Sequence, residues 1–434
     1  MTDLLALTPQ AFADLLRQHG IQRFYLVWSA AEQRLLASHP ALEPLARAVQ
    51  SDARDFDAHE GVFVQVAPET GVLQGAFVHR TCRGQAAGGV RFWSYDTVRD
   101  YLRDGLRLGR GMGHKNALAG LWWGGGKGVM ARATGRAEDP AVRRRIYEEY
   151  GDFLTSLRGC YVTAEDVGTC VDDMAAIYSR TRFTTCIPQR LGGSGNPSVP
   201  TALGVVRAME AALQHLGLGG LAGKTIAMQG TGNVGEPMIE LLRERGVARI
   251  TATDIDAGRL DRLPSRFAGF DLRLRRVERG DVSILAEEAD ILAPNATGAM
   301  LGPATIPALR ARIVCGAANN QLEDPQRDDL ALQERGVLYM PDFLVNRMGI
   351  VNCADEQYGF VDQDPAFHRH LGTEWDNSIY NLSLAILQES ARTGRTPHRI
   401  ACETADERAR QPHPVWGHRG VTIIDSLVRG GWAG

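Results

Sequence analysis

An α/β fold in two domains is predicted by three observations. The chain has 434 residues, more than one hydrophobic core usually supports. From residue 224 onward, strand-like apolar runs alternate with helical ones, the pattern of a parallel sheet covered on both faces. Within that alternation stands Gly230-Thr-Gly232-Asn-Val-Gly235, followed nineteen residues after its last glycine by Asp254. A glycine turn that ends a strand and opens a helix, with an acidic residue at that distance, marks a Rossmann-like, doubly wound dinucleotide domain. The remainder is expected to form a second α/β domain. The expected division places residues 1–195 and 385–434 in that second domain and 196–384 in the dinucleotide domain.

The elements follow in order. Thr8-Pro9 opens a short helix with Thr8 as N-cap and Pro9 at the first helical position, closed by Gly20. The next forty residues carry no chemical signal. Residues 62–66 and 73–79 alternate as strands across a turn at Gly71. Asp96-Thr97 opens a helix whose apolar face runs Val98, Tyr101, Leu102, Leu106, Leu108 and Met112. Continuing that face by three puts Lys115 on the inward side, where a charge needs a partner. Glycines 105, 109, 111 and 113 weaken this helix by roughly 1 kcal/mol each, which makes sense where something approaches its backbone closely. Gly124-Gly-Gly126 reads as a turn that returns Lys127 toward Lys115. A helix then runs from 201 to about 216, followed by a strand at 224–229, a helix at 237–245 and a strand at 248–253. Later strands are expected at 291–292, 312–315 and 337–340.

Composition excludes several classes. With 44% hydrophobic and 23% charged residues and a net charge of −3, the chain gives no electrostatic reason to bind nucleic acid or an anionic membrane. The basic run at 273–279 reads as a solvated face without a role. Seven cysteines, at 82, 160, 170, 186, 315, 353 and 402, are odd in number and scattered, so neither a disulfide framework nor a metal site is expected. The start of the chain lacks a basic leader, and no apolar run approaches the ~18 residues of a membrane span. A cytoplasmic protein is expected.

Lysine is the most informative residue. Only three of 48 basic residues are lysine, and two of them, Lys115 and Lys127, stand twelve positions apart in a glycine-laden stretch. Arginine cannot give up its proton near neutral pH, whereas an enclosed lysine can. The pair therefore reads as candidate proton-handling chemistry; a glycine turn carrying two solvated lysines is the alternative.

In the dinucleotide loop, Gly230 permits the tight turn, Gly232 lets the backbone approach a pyrophosphate, and Gly235 lets helix and strand pack closely, with Asn233 and Val234 between them. Asp254 can accept hydrogen bonds from a ribose diol, and its charge repels a 2′-phosphate. NAD is therefore expected rather than NADP. Asp166, in Tyr161-Val-Thr-Ala-Glu-Asp-Val-Gly-Thr169, is a carboxylate among small residues just past a strand.

Together these residues resemble the Glu/Leu/Phe/Val dehydrogenase family. The resemblance rests on Gly88-Gly-Val-Arg91, Met112-Gly-His-Lys115-Asn-Ala, Gly124-Gly-Gly-Lys127-Gly, Thr163-Ala-Glu-Asp166-Val-Gly-Thr, Gly230 to Gly235, Gly316-Ala-Ala-Asn-Asn320 and Pro341-Asp342 with Asn346. It covers about residues 60 to 410, and Ala354-Asp-Glu356-Gln-Tyr-Gly looks most like the leucine dehydrogenase branch.

The resemblance implies reversible oxidative deamination of an L-amino acid to a 2-oxo acid and ammonia by a homo-oligomer. The second domain is then responsible for substrate binding and oligomerisation; the first fifty residues and the tail after about 409 fall outside the resemblance and are expected to form subunit contacts. Lys115 pairs with the substrate α-carboxylate beside Gly88 and Gly89. Lys127 activates water, and Asp166 exchanges protons with the amine. At its ordinary pKa of ~10.4 a lysine is a poor base, so burial and the nearby charge of Lys115 are expected to shift Lys127 down while Asp166 opposes them.

Thr201, Ile255, Ala296 and Asn319 join the cofactor set by the same resemblance. Ala87 stands where glutamate-specific members carry a lysine, and Ala164, Ile350 and Cys353 complete a pocket wall for an apolar side chain, aliphatic or aromatic. A glutamate dehydrogenase and a catalytically silent NAD-binding protein are the alternatives. Three departures stand out: Asn346-Arg347-Met348-Gly349 replaces Asn-Ala-Gly-Gly and is expected to put two large side chains beside the pocket, Asn295 replaces a common cysteine, and Asn196 a common aspartate.

Overall fold

The computed structural model describes residues 3–132, 139–359, 361 and 363–434. The chain divides into two compact units, one of Met1–Asn196, Cys353–Phe360 and Ala405–Gly434, the other of Pro197–Asn352 and Val361–Thr404.

In the first unit, the Thr8 hydroxyl accepts from the Ala11 amide at 3.2 Å and so caps α1 (Pro9–Gln18). β1 (Arg23–Ser29) and β2 (Arg34–Ala37) form an antiparallel hairpin in the stretch without chemical signal. After α2 (Glu43–Gln50) come β3 (Gly61–Val66), β4 (Leu73–Val78), β5 (Ala86–Ala87), β6 (Val90–Trp93), α3 (Val98–Ala119), β7 (Gly124–Ala131), α4 (Pro140–Ser156), β8 (Tyr161–Val162) and α5 (Val171–Tyr178). The sheet runs β2-β1-β3-β4-β7-β5-β8, with β6 also paired to β7. β4 meets β7 antiparallel, whereas β5 and β6 lie parallel to β7 and β8 parallel to β5. Phe12, Phe24, Leu45, Val62, Val64, Phe77, Tyr101 and Val129 share one buried core, each such side chain stabilising the fold by roughly 1.5–3 kcal/mol.

The glycine triplet is not the expected turn. α3 ends at Gly120, whose φ of +76° is left-handed, and Gly124, Gly125 and Gly126 lie inside β7. A Cβ at Gly125 would stand 2.6 Å from both the Gly113 Cα and the Gly109 carbonyl oxygen. The glycines of strand and helix thus let α3 lie directly against β7, backbone on backbone. Asn116 locks this packing, its Nδ2 donating to the carbonyls of Gly124 at 2.6 Å and Ala87 at 3.2 Å.

The second unit begins with α6 (Ser198–His215) and then alternates: β9 (Thr225–Gln229), α7 (Gly235–Glu244), β10 (Arg249–Asp254), α8 (Ala257–Arg266), β11 (Leu272–Arg276), β12 (Ile291–Pro294), β13 (Ile313–Val314), α9 (Pro325–Glu334) and β14 (Leu338–Tyr339). Short α10 (Asp342–Val345) precedes α11 (Met348–Tyr358), α12 (Pro365–His368), α13 (Ile379–Thr393), α14 (Pro397–Ala409) and α15 (Arg419–Arg429), of which α11 and α14 are divided between the units and α15 belongs to the first. All six strands are parallel, in the order β11-β10-β9-β12-β13-β14. That is the doubly wound order, and its direction reverses between β9 and β12, where such sheets take their ligands. The basic run at 273–279 has exposed arginines, as its reading as a solvated face requires; Arg273, Arg275 and Arg276 belong to β11, an edge strand, and suit an edge that must not recruit another chain. One expectation changes here. Residues 385–404 belong to this unit rather than the first, because α13 packs on α6: a Cβ at Gly204 would stand 2.9 Å from Ile379 Cδ1.

Among the described residues, no helix is long and apolar enough to cross a membrane, and no group of three or more His, Cys, Asp or Glu side chains is placed to hold a metal ion. None of the seven cysteines is joined in a disulfide.

Candidate active site

In the first unit the glycine-rich strands build a tight seat. A Cβ at Gly89 would fall 2.6 Å from the Glu165 carbonyl oxygen and 2.8 Å from Asp166 Cβ, so only glycine lets the Gly88-Gly89 segment pass so close to the carboxylate. The Gly88 carbonyl accepts from the Tyr161 hydroxyl, and the Ala164 carbonyl accepts from the Val90 amide at 2.8 Å. The register of β5 sets Ala87 between Gly125 of β7 and Val162 of β8. Ala87 and Ala164 are both buried, as is Lys115 on α3.

Lys127 projects from β7 and donates to Asp166 Oδ2; the side chains are 3% and 14% exposed. Asp166 is fixed by a turn in which its amide donates to the Thr169 hydroxyl at 2.9 Å and its carbonyl accepts from the Thr169 amide at 3.0 Å. Burial lowers the Lys127 pKa; Asp166 opposes the shift and Arg91 adds to it. The cation that adds to this lowering is Arg91, whose Nε stands 3.5 Å from Asp166 Oδ2. Burial alone would raise the Asp166 carboxyl, but Lys127 and then Arg91 outweigh it and hold the group well below the usual carboxylate range. Next to it, burial and the Asp166 charge push the Glu165 carboxyl up to about 7. Asn196 Nδ2 donates to Glu165 Oε1 at 2.9 Å, so the amide at 196 supplies a donor where an aspartate would add a third negative group.

Cys353, on α11, is buried with its sulfur 3.3 Å from that of Cys186, a neighbour the sequence reading did not foresee. Glu356, one turn further on, accepts from the amides of Cys186 at 2.9 Å and Ser194 at 2.8 Å, and from the Ser194 hydroxyl at 2.7 Å. Ile350 is buried in the second unit.

The dinucleotide loop lies at the strand-order reversal of the second unit. Gly230 leaves β9 with a φ of +87°, and a Cβ there would stand 2.9 Å from the Ala296 Cβ at the end of β12. A Cβ at Gly235, where α7 starts, would collide with the Gly230 carbonyl oxygen. Asn233, Ile255 and Ala296 are exposed, and Gly232, Val234 and Thr201 are half-buried. Asn346 Nδ2 donates to Asn319 Oδ1 at 2.8 Å and to the Ala317 carbonyl at 3.0 Å. Asp254 Oδ2 accepts from the Thr231 amide at 2.8 Å and hydroxyl at 2.9 Å, and Oδ1 accepts from the Asp256 amide at 3.0 Å. These three bonds occupy most of the ~4 lone-pair directions of a carboxylate. Arg259 Nη1 stands 3.6 Å from Asp254 Oδ2 and 3.2 Å from where a Gly232 Cβ would be.

Comparison with known proteins agrees with both halves. Residues 62–183 match the family model described as Glu/Leu/Phe/Val dehydrogenase, dimerisation domain, and residues 192–262 match Glutamate/Leucine/Phenylalanine/Valine dehydrogenase. A leucine dehydrogenase of Bacillus cereus is 38% identical over 81% of this chain and 91% of its own length. The chain belongs to the Glu/Leu/Phe/Val dehydrogenase family. It is an amino-acid dehydrogenase, an oxidoreductase. A valine dehydrogenase of Streptomyces coelicolor is 38% identical over 83% of this chain and 94% of its own. The crystal structure of L-tryptophan dehydrogenase from Nostoc punctiforme superposes with a TM-score of 0.63 at 31% identity, covering 81% of this chain and 96% of that one.

Against this family pattern the departures find physical explanations. Arg347 and Met348 are both wholly buried in the second unit, Arg347 donating to the Asn377 carbonyl and Met348 packing on α6 at Gly204. The His370 imidazole is pushed down to about 3 by burial, by Arg347 and by Arg369. Asn295 uses its polarity, Oδ1 accepting from the Ala317 amide at 2.8 Å.

Proposed function

We propose that this amino-acid dehydrogenase catalyses the reversible, NAD-dependent oxidative deamination of an apolar L-amino acid, aliphatic or aromatic, to the 2-oxo acid and ammonia. The observation that carries the reading is the buried Lys127–Asp166 pair, an ammonium made easier to deprotonate next to a carboxylate held ionised. The reaction needs both: water must lose a proton to add at Cα, and nitrogen must exchange protons as it leaves. Lys127 takes the proton from water and Asp166 exchanges protons with the nitrogen. Lys115 pairs with the α-carboxylate beside Gly88 and Gly89.

The second unit's residues fit NAD. The closeness of Gly235 to the Gly230 carbonyl and of Gly230 to Ala296 leaves a cradle without side chains in front of the α7 N-terminus, a favourable seat for a pyrophosphate. Gly230, Gly232, Asn233, Val234 and Gly235 would hold it, with Asp254 and Ile255 at the adenosine and Thr201, Ala296 and Asn319 toward the nicotinamide. When bound, the nicotinamide accepts the hydride from Cα.

Ala87, Ala164, Ile350 and Cys353 are proposed to wall the side-chain pocket. A γ-carboxylate buried beside Ala87 without a partner would cost several kcal/mol, which disfavours glutamate. Assembly into a homo-oligomer is also proposed, in keeping with the dimerisation-domain match.

The test is NADH formation with purified protein and a panel of L-amino acids. Turnover of leucine, valine, phenylalanine or tryptophan is expected. Turnover of glutamate alone would select a glutamate dehydrogenase, and silence with every amino acid despite NAD binding would select a non-catalytic role.

A further inference from the structure

Behind the catalytic pair stands a second cation. Arg91 lies on β6, opposite Val129 of β7 and so beside the strand that carries Lys127. Its Nε, buried and without a hydrogen bond of its own, is 3.5 Å from Asp166 Oδ2, the oxygen that also accepts from Lys127. Its Nη1 donates to Asp104 on α3, at 3.0 Å to Oδ1 and 3.2 Å to Oδ2. The Tyr95 hydroxyl in turn donates to Asp104 Oδ2 at 2.6 Å. The exposures are 19% for Arg91, 21% for Asp104 and 14% for Asp166, so these charges interact in a medium far less screening than water.

The order of charges matters. A buried carboxylate facing a single ammonium strengthens that ammonium's hold on its proton. Here Asp166 faces two cations, and only one of them can deprotonate, because a guanidinium stays charged. Each share of the carboxylate drawn to Arg91 is withdrawn from Lys127. Asp104 works in the opposite sense by drawing Arg91 away from Asp166. Glu165, and Tyr161 on β8, also stand by Asp166, and the depression lined by Arg91, Tyr95 and Asp104 is lined as well by Asp55, Asp96 and Asp100 and by Arg54, Arg103 and Arg107, three charges of each sign.

We propose that Arg91 is a positioning residue for the dehydrogenase reaction: it holds Asp166 and counterbalances it against Lys127, and Asp104, steadied by Tyr95, sets the strength of that counterbalance. The proposal rests on the reading of Lys127 as base and Asp166 as proton carrier. Two substitutions with opposite expected signs test it. Arg91→Met should lower kcat at least tenfold and move the limb on which deamination rises with pH upward by about one unit. Asp104→Asn should move that limb downward, and Arg91→Lys should restore part of the wild-type profile.

A second readout needs neither cofactor nor substrate. The chain contains three lysines, so protein grown on lysine labelled with 13C at Cε gives three resonances, with Lys127 identified by its loss in Lys127→Arg. The Lys127 titration should shift in the same directions as the pH profiles. A uniform loss of rate in Arg91→Met with an unmoved profile and an unmoved Lys127 titration would overturn the role of Arg91 while leaving the activity intact. Silence of the wild type toward every amino acid would instead overturn the activity reading itself, and the Lys127 titration would still decide whether Arg91 and Lys127 are coupled.

Discussion

Lys127 and Asp166 are 39 residues apart in sequence, yet they share a hydrogen bond with neither side chain more than 14% exposed. Exchanging the lysine for arginine keeps the charge and removes the proton carrier. Lys127→Arg should therefore lose about 100- to 10,000-fold in kcat while NAD binding, measured by calorimetry, stays within a few-fold. Near-normal turnover would remove Lys127 from the mechanism.

Removing the carboxylate instead should cost stability as well as rate. In Asp166→Asn, Lys127 loses the acceptor of its buried charge, and breaking such a pair typically costs about 3–5 kcal/mol. Denaturant unfolding should show a loss of that order, and an unchanged midpoint would mean the pair is not desolvated in solution.

Glu165 sets a pH dependence of defined sign. Its carboxyl is raised from an ordinary 4.5 to about 7, so between those values the folded state binds a proton that the unfolded state releases. Stability should fall as pH rises through that window, by roughly 1–2 kcal/mol after allowance for partial exposure. Glu165→Gln should flatten this part of the curve of melting temperature against pH; an identical slope in both proteins would locate the titrating group elsewhere.

Arg259 bears on the cofactor. In the proposed NAD site Asp254 would repel a 2′-phosphate, and Arg259, 3.6 Å away, would offset part of that repulsion. Arg259→Ala should weaken NADP binding more than NAD binding and raise the discrimination between them several-fold. An equal loss for both would show that Arg259 acts on the loop alone.

Arg347 should prove structural. Arg347→Ala leaves a hole in a wholly buried site and releases the Asn377 carbonyl, which is expected to cost about 2–4 kcal/mol. The amino-acid preference should be unchanged, and a switch of preferred substrate would place this side chain at the pocket after all.

What was legible in the sequence was what is local. Gly230 to Asp254 spans one strand-helix-strand unit whose spacing is set by chain geometry, and Thr8 capping its helix needs only the three residues that follow. The three- and four-residue spacing of apolar side chains from Val98 to Met112 likewise pointed to α3. The triplet 124–126 misled because glycine favours turns as readily as it permits close approach, and only the α3 backbone across from Gly125 distinguishes the two. β11 was hidden because its alternating Leu and Arg side chains sit on a sheet edge and bury little. Arg91 behind Asp166, and Cys186 opposite Cys353 across 167 positions, are products of topology and leave no local pattern.

Cys353 and Glu356 sit three positions apart on one face of α11, one proposed to touch the substrate and the other gripping the backbone of Cys186 and Ser194. A mutation that enlarges residue 353 therefore pushes on the same lever that anchors this loop. Lineages or laboratory selections seeking a new side-chain preference at this position would have to change residue 186 in step, making the two sites an evolutionary couple rather than independent dials.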